Sequence, residues 1–297
     1  MKLLKVGTAN SHFIYKYGYQ DGLKKVRECG FDSIDFSFFA YQTDADFVLK
    51  KNDNDLKTFF KQLKTIADDV GLEFGQTHAP YYNYLPLEQL CGNEYLNLFI
   101  NSIKSTAYLG SKYLVIHPAI FRDAENNYMR SFDANIKFFG LLKSVAKDFG
   151  VTIAVENLCA INPLREMGVP SATSSGEKLS HLVDALGDGF CACLDTGHAF
   201  FTGQDPAQFA RLLSDRLKVL HIQDGDGYDD MHVPPTLGHI NWQDFLSALK
   251  EINYQGVLNM EISYRRFGGY NNLMETGKFL SEIGRDFAKQ IGKMEGE

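Results

Sequence analysis

VLHIQDGDGYDDMHVPPTLGHINW, residues Val219 to Trp242, opens as a short apolar strand and runs into a loop carrying Asp224, Asp226, Asp229, Asp230 and His232. It then turns at Pro234-Pro235 and enters a helix at Asn241, where Asn at the cap and Asp244 three residues on match a helix start. His221 lies within the strand itself, where an unpaired polar group is costly to bury. A strand, a ligand-rich loop and a helix in succession make one β-α unit, with its chemistry at the strand's C-terminal end.

The same unit recurs along the chain. Strands are expected at Leu4–Ala9, Ser33–Phe39, Leu72–His78, Tyr113–His117, Thr152–Asn157, Cys191–Asp195, Val219–Gln223 and Val257–Ser263. Helical periodicity falls between and after them, over Gly22–Cys29, Asp53–Val70, Leu87–Leu109, Phe132–Phe149, Gly176–Leu186, Pro206–Ser214, Trp242–Ile252 and Leu273–Ile291. Gly30, Gly71, Gly110, Gly150 and Gly187 stand where helices stop. Strict alternation of eight strands with eight helices predicts an α/β chain folded as a single (β/α)8 TIM barrel, one domain over residues 1–297. A doubly wound sheet would place a Gly-rich turn after the first strand, and NSHFIYKYG follows Ala9 instead.

Composition narrows the function. A length of 297 residues suits one large barrel, which commonly needs about 250. A net charge of −7 argues against a nucleic-acid surface. Five cysteines, at 29, 91, 159, 191 and 193, are odd in number and irregular in spacing, so no disulfide framework is expected and a reducing cytoplasm is. The start MKLLK lacks the apolar run of a signal peptide, and nothing approaches the roughly 20 apolar residues of a membrane span.

Barrel strands alternate inward and outward, and active sites form at their C-terminal ends. On that parity Ala154 and Glu156 share a face, as do Cys191, Cys193 and Asp195, then Val219, His221 and Gln223, then Asn259, Glu261 and Ser263. His78 and His117 end the third and fourth strands, and His198 lies one turn beyond Asp195. Any one of these is more often an ordinary core or turn residue. Six strands each delivering a ligand-type residue at one height point to a common divalent-metal site, with Cys191 and Cys193 as small core residues beneath it. A Glu, Asp, His and Glu set is oxygen-rich with one imidazole, which suits manganese first, with cobalt, magnesium or zinc as alternatives. Such an ion would polarise a sugar carbonyl. Glu156 and Glu261, on opposite sides, would then move the neighbouring carbon's proton, giving isomerisation or epimerisation. Phe38-Phe39 and Tyr81-Tyr82 fall near the expected mouth, where rings would wall a sugar's apolar face.

The motifs THAP, IHPA, VENL, LDTGH, HIQDGDGYDDMH, the PP-to-INW turn and MEIS resemble those of the xylose isomerase-like barrel superfamily over essentially the whole chain. That superfamily includes ketose 3-epimerases, inosose-processing enzymes and endonuclease IV. The resemblance implies that Glu156, Asp195, His221 and Glu261 hold the metal. It implies that His198 contacts substrate or supports the ligands; His78, His117, His232 and Asp230 are expected to position substrate oxygens or back the ligands. Ketose 3-epimerases carry an arginine in the loop after the seventh strand, and this loop has none. The sugar-phosphate isomerase/epimerase branch often reads DEHLPPGEG there, whereas DDMHVPPTLGH keeps the histidine and prolines without the glutamate.

The expected activity is a metal-dependent sugar isomerase or epimerase on a small ketose, aldose or polyol, with no nucleic-acid or membrane partner and homo-oligomerisation left open. The alternative is an endonuclease IV-like multi-zinc phosphodiesterase on abasic DNA, since all nine matching positions retain metal-binding side chains. A metal-free glycosidase would use Glu156 and Glu261 as paired carboxylates, but Asn157 follows Glu156 rather than preceding it, and Asp195 and His221 would have no role. A barrel that binds a polyol without turning it over would show an incomplete ligand set.

Overall fold

The computed structural model describes residues 3–40, 47–82, 84–121, 128–158, 160–162, 167–169 and 171–293. One eight-stranded parallel sheet contains β1 Val6–Ala9, β2 Ser33–Ser37, β3 Glu73–His78, β4 Tyr113–Ile116, β5 Thr152–Glu156, β6 Phe190–Asp195, β7 Leu217–His221 and β8 Leu258–Met260. Consecutive strands pair, and β8 returns to β1 with Gly7 opposite Asn259. Between β7 and β8 the closure narrows to one parallel bridge, Ile222 with Met260. There Ile222 N–H donates to Asn259 O at 2.7 Å and Glu261 N–H donates to Ile222 O at 3.0 Å. The fold is a TIM barrel, and its last seam fixes the backbone of Glu261 beside the end of β7.

Strand parity sorts the side chains into two layers. Ile34, Phe36, Phe74, Leu114, Ile116, Ile153, Val155, Leu194, Leu220 and Leu258 point outward into the large core shared with the helices. Val115, Ala154, Cys191, Cys193 and Val219 form a separate small cluster inside the barrel. The abundant phenylalanines are mostly core. Phe36, Phe38 and Phe60 meet with ring centroids 5.3–5.8 Å apart, each ring contributing about 1.5–3 kcal/mol by leaving water. Cys29, Cys91, Cys191 and Cys193 are free thiols, and Cys159 lies outside the described residues. Among the described residues no helix is long and apolar enough to cross a membrane.

The helices depart from the expected spans in several places, and Tyr128–Phe149 starts a turn before the expected Phe132. Ser11–Glu28 starts much earlier than Gly22 and is broken at Gly18, where φ is 75°. The expected helix Leu87–Leu109 is two, Leu87–Leu90 and Asn93–Tyr108, because Gly92 takes extended backbone and starts the second. Thr196–Phe201, where no helix is expected, is a short helix whose N-cap is Asp195. An antiparallel pair, Ala160–Asn162 with Met167–Val169, follows β5 and was not expected. The last strand ends at Met260, so Glu261 and Ser263 sit just beyond it rather than within it.

Candidate metal centre

Glu156, Asp195, His221 and Glu261 converge from the ends of β5, β6, β7 and β8, with one ligand atom from each within 4.8 Å of the others. His221 Nδ1 lies between the two glutamates, 3.4 Å from Glu156 Oε1 and 3.0 Å from Glu261 Oε2. Glu156 is fully buried among further imidazoles. His117 Nε2 lies 3.2 Å and His78 Nε2 3.4 Å from Oε2, while His198 Nδ1 lies 3.2 Å from Oε1. None of them is aligned as a hydrogen bond, so both Glu156 oxygens, His221 Nδ1 and His78 Nε2 are buried without a partner. Leaving one such atom unpaired costs about 1–3 kcal/mol. Several aimed at one point fit a cation, and the donor set of carboxylates and imidazoles suits a divalent one.

A second group stands above the first. Asp230 lies between His232 Nε2 (3.1 Å from Oδ1) and His198 Nε2 (3.6 Å from Oδ2). Side-chain exposure rises from nil at Glu156 and His221 to 24% at His232 and 36% at Asp230, so the site opens on that side. Gln223 ties the groups together. Its Nε2 donates to both Asp195 oxygens at 3.1 Å and to Asp230 Oδ1 at 3.2 Å, while its Oε1 accepts from His232 N–H at 2.8 Å. Gly197 makes room for that carboxamide, since a Cβ there would stand 2.3 Å from Gln223 Cδ.

Charge follows the geometry. Burial works against ionisation of Glu156, yet the imidazoles of His221 and His117 hold it well below the usual range. Glu261 is also opposed by burial, but His221 and His232 bring it to about 2. Burial pushes Asp195 up to about 6, with His198 pulling against it. For His232, burial is outweighed by the hydrogen bond and charge of Asp230, which raise it to about 9.

The opening loop contributes less than its composition suggests. Asp224 is buried and its oxygens accept only protein N–H groups, so it is a structural anchor rather than a ligand. Asp226 accepts from the N–H of Tyr228 and Asp229, and the Asp229 carboxylate from the N–H of Asp230. Asp230 and His232 alone reach inward from that loop. Phe39 stacks on Tyr81 with centroids 4.3 Å apart, and Tyr81 lies 5.2 Å from His78 and 5.0 Å from His117. Their neighbours in sequence turn away, Phe38 into the core and Tyr82 onto Tyr95. Four contributors escaped the motif reading or entered it only as strand neighbours: Asp35, Gln76, Asn259 and Gln223. His12 also sits by the mouth, its rings' neighbours being Tyr264 and Tyr270 at 5.4 and 5.8 Å. Burial, His232 and Arg265 lower its pKa to about 4.

The family model for the xylose isomerase-like TIM barrel matches residues 23–287. The chain belongs to that family. The uncharacterized protein MJ1311 of Methanocaldococcus jannaschii is 29% identical over 208 residues, 68% of each chain. A probable endonuclease 4 of Mycoplasmopsis synoviae is 24% identical over 204 residues, covering 64% of this chain and 69% of that one. Among solved structures, an IolI protein with a bound zinc atom superposes with a TM-score of 0.74 at 19% identity, covering 98% of this chain and all of the other. A D-tagatose 3-epimerase-like protein gives 0.69 at 23% identity, over 95% and 99% of the two chains. At these identities the structural likeness establishes the barrel fold alone.

Proposed function

We propose that this xylose isomerase-like barrel is a divalent-metal-dependent isomerase or epimerase of a small ketose, aldose or related polyol. The observation that carries the reading is the placement of His221 Nδ1 between Glu156 and Glu261 at 3.4 and 3.0 Å, two carboxylates from different strands meeting in one ligand set. Glu156, Asp195, His221 and Glu261 would hold the ion, manganese first among the candidates. When bound, the ion supplies Lewis acidity that polarises a carbonyl and acidifies the adjacent C–H. Glu261 is the more accessible glutamate, at 11% exposure against none for Glu156, so it is assigned the first proton transfer. Delivery of the proton on the same face to the former carbonyl carbon, with the hydroxyl proton passing from one oxygen to the other, would give aldose–ketose isomerisation. Delivery of a proton to the original carbon from the Glu156 side would give epimerisation. His78, His117, His198, His232 and Asp230 would orient substrate hydroxyls, with Phe39 and Tyr81 against the apolar face of the sugar. The epimerase-like and IolI structural neighbours support this class.

A second reading is favoured by a separate observation. His78, His117 and Glu156 form one additional ligand group, and His198, Asp230 and His232 another, each gathered within 4.8 Å. Three groups around one mouth suit a multi-zinc phosphodiesterase on abasic DNA, and relatives named probable endonuclease 4 support it. The net charge of −7 weighs against a DNA-backbone partner. Metal content of the purified protein, combined with deuterium uptake from D2O into a ketose panel, tests both. About one ion per chain with exchange at the carbon next to the carbonyl is expected. About three zinc ions with cleavage of an abasic oligonucleotide and no exchange would overturn the isomerase reading.

A further inference from the structure

Beneath the ligand set lies a polar layer that none of the steps above uses. Asp35, from β2, is 1% exposed, and its Oδ2 sits 2.8 Å from His221 Nε2 on β7. The same oxygen accepts from Gln76 Nε2 of β3 at 2.9 Å and from Asn259 Nδ2 of β8 at 3.3 Å. Gln76 Nε2 also reaches Leu220 O on β7 at 3.3 Å. Four strands are thereby joined through one carboxylate oxygen in the barrel interior, over a sequence separation of 186 residues for the Asp35–His221 pair. Such a burial of charge is expensive unless several donors answer it, and here three meet Oδ2, while Oδ1 is buried without a protein partner.

We propose that Asp35 is the positioning residue of the metal centre. A carboxylate has only acceptors, so His221 Nε2 must donate to it, and that bond fixes the plane of the ring. Nδ1 is then the nitrogen turned toward Glu156 and Glu261, and it has no protein partner. The amides of Gln76 and Asn259 keep Oδ2 in place and prevent the carboxylate from turning away from His221. Asp35 acts on the ion only through His221, by fixing its orientation and by making the ring a stronger donor. The inference rests on the metal reading of the upper layer.

The test compares wild type with Asp35→Asn and Asp35→Ala, using zinc affinity by chelator competition and the imidazole N–H proton resonances of the zinc-loaded chain. Asn keeps the shape and an acceptor oxygen but removes the charge; Ala removes the acceptor. Zinc affinity is expected to fall about 10–100-fold in Asp35→Ala and less in Asp35→Asn. The slowly exchanging Nε2–H resonance of His221, assigned by its loss in His221→Gln, should move upfield in Asp35→Asn. Unchanged affinity and an unchanged resonance in folded Asp35→Asn would overturn the proposal, even if Asp35→Ala fails to fold. Should wild type bind no zinc, the metal reading fails instead. The hydrogen bond is then judged alone, by whether the apoprotein's Nε2–H resonance responds to Asp35→Asn.

Discussion

Trp242 Nε1 donates to Asp224 Oδ2 at 2.7 Å, tying the start of the loop after β7 to the helix that follows it. The same carboxylate accepts the N–H of Gly225 and Thr236 at 2.9 Å and of Ile240 at 3.2 Å. Asp230 and His232 are carried between these anchor points. Asp224→Ala would leave several buried donors unsatisfied and should cost about 3 kcal/mol, read as a lower urea midpoint with the slope unchanged. Trp242→Phe removes one of those bonds and should cost about 1 kcal/mol. Equal stability of Asp224→Ala and wild type would show that the loop is held by other contacts.

Gly197→Ala tests the bracing of the ligands rather than the ligands themselves. The new Cβ would fall 2.3–2.7 Å from the Gln223 carboxamide atoms, which must then leave Asp195, Asp230 and the His232 N–H. Metal affinity should drop by about tenfold or more, as for loss of other groups that orient ligands. Isothermal titration with manganese checks this, and wild-type affinity would mean that Gln223 is dispensable.

Period-two patterning made the barrel's inner face legible, because a one-residue error would turn every side chain to the wrong side. It places Glu156, Asp195, His221 and Glu261 on one face, and the four converge. The loop from Asp224 to His232 has no such period. Which of its acids turns inward is decided by Asp224 gathering N–H groups, a choice that side-chain chemistry alone does not announce. Of the pairs Phe38-Phe39 and Tyr81-Tyr82, only Phe39 and Tyr81 stand by the site histidines, because adjacent residues diverge once the strand ends. Asp35 was readable in principle, since Ser33, Asp35 and Ser37 put a polar face on β2. It lies one layer below the ligands, where attention to strand ends does not reach. The break at Gly92 stayed hidden because helical periodicity runs on through Cys91-Gly92.

At the opposite end of the barrel, Asp32 gives a pH test independent of any metal. Burial opposes its ionisation, but Arg285 Nη2, 2.7 Å from Oδ1, and the Val6 N–H, 3.1 Å from Oδ2, hold its pKa below the ordinary value. A carboxyl with a lower pKa folded than unfolded stabilises the fold above its unfolded pKa, about 3.9, and loses that contribution as pH falls through the folded value. Wild type should therefore exceed Asp32→Asn in stability at pH 7, and the gap should close below about pH 4. Urea unfolding of both chains from pH 7 to pH 3 measures it. A gap constant with pH would remove the ion pair as its source.

Removing metal should expose the strain of the ligand set. Buried acceptors and imidazoles that face one another without hydrogen bonds would be relieved by an ion that binds the folded chain and not the unfolded one. At about 100 times the dissociation constant the gain is about 2.7 kcal/mol, a rise in melting temperature of several degrees. Thermal scans of chelator-treated protein, with and without added manganese or zinc, provide the measurement. No shift with any divalent ion would count against the metal centre.

Glu261→Gln separates proton transfer from ion binding. Glutamine keeps the size and one acceptor oxygen, so the altered chain should still bind metal, more weakly, and can be assayed at saturating manganese. With the ion in place, loss of the proton acceptor should lower deuterium uptake from D2O into substrate by about 10²–10⁴-fold, the usual contribution of a general base. Glu156→Gln, at a fully buried position, should lower metal affinity more than exchange at saturation if proton transfer is confined to the Glu261 face. Equal loss of exchange in both variants at saturating metal would place protons on both faces and favour epimerisation over isomerisation. Full exchange in Glu261→Gln at saturation would remove this carboxylate from the chemistry.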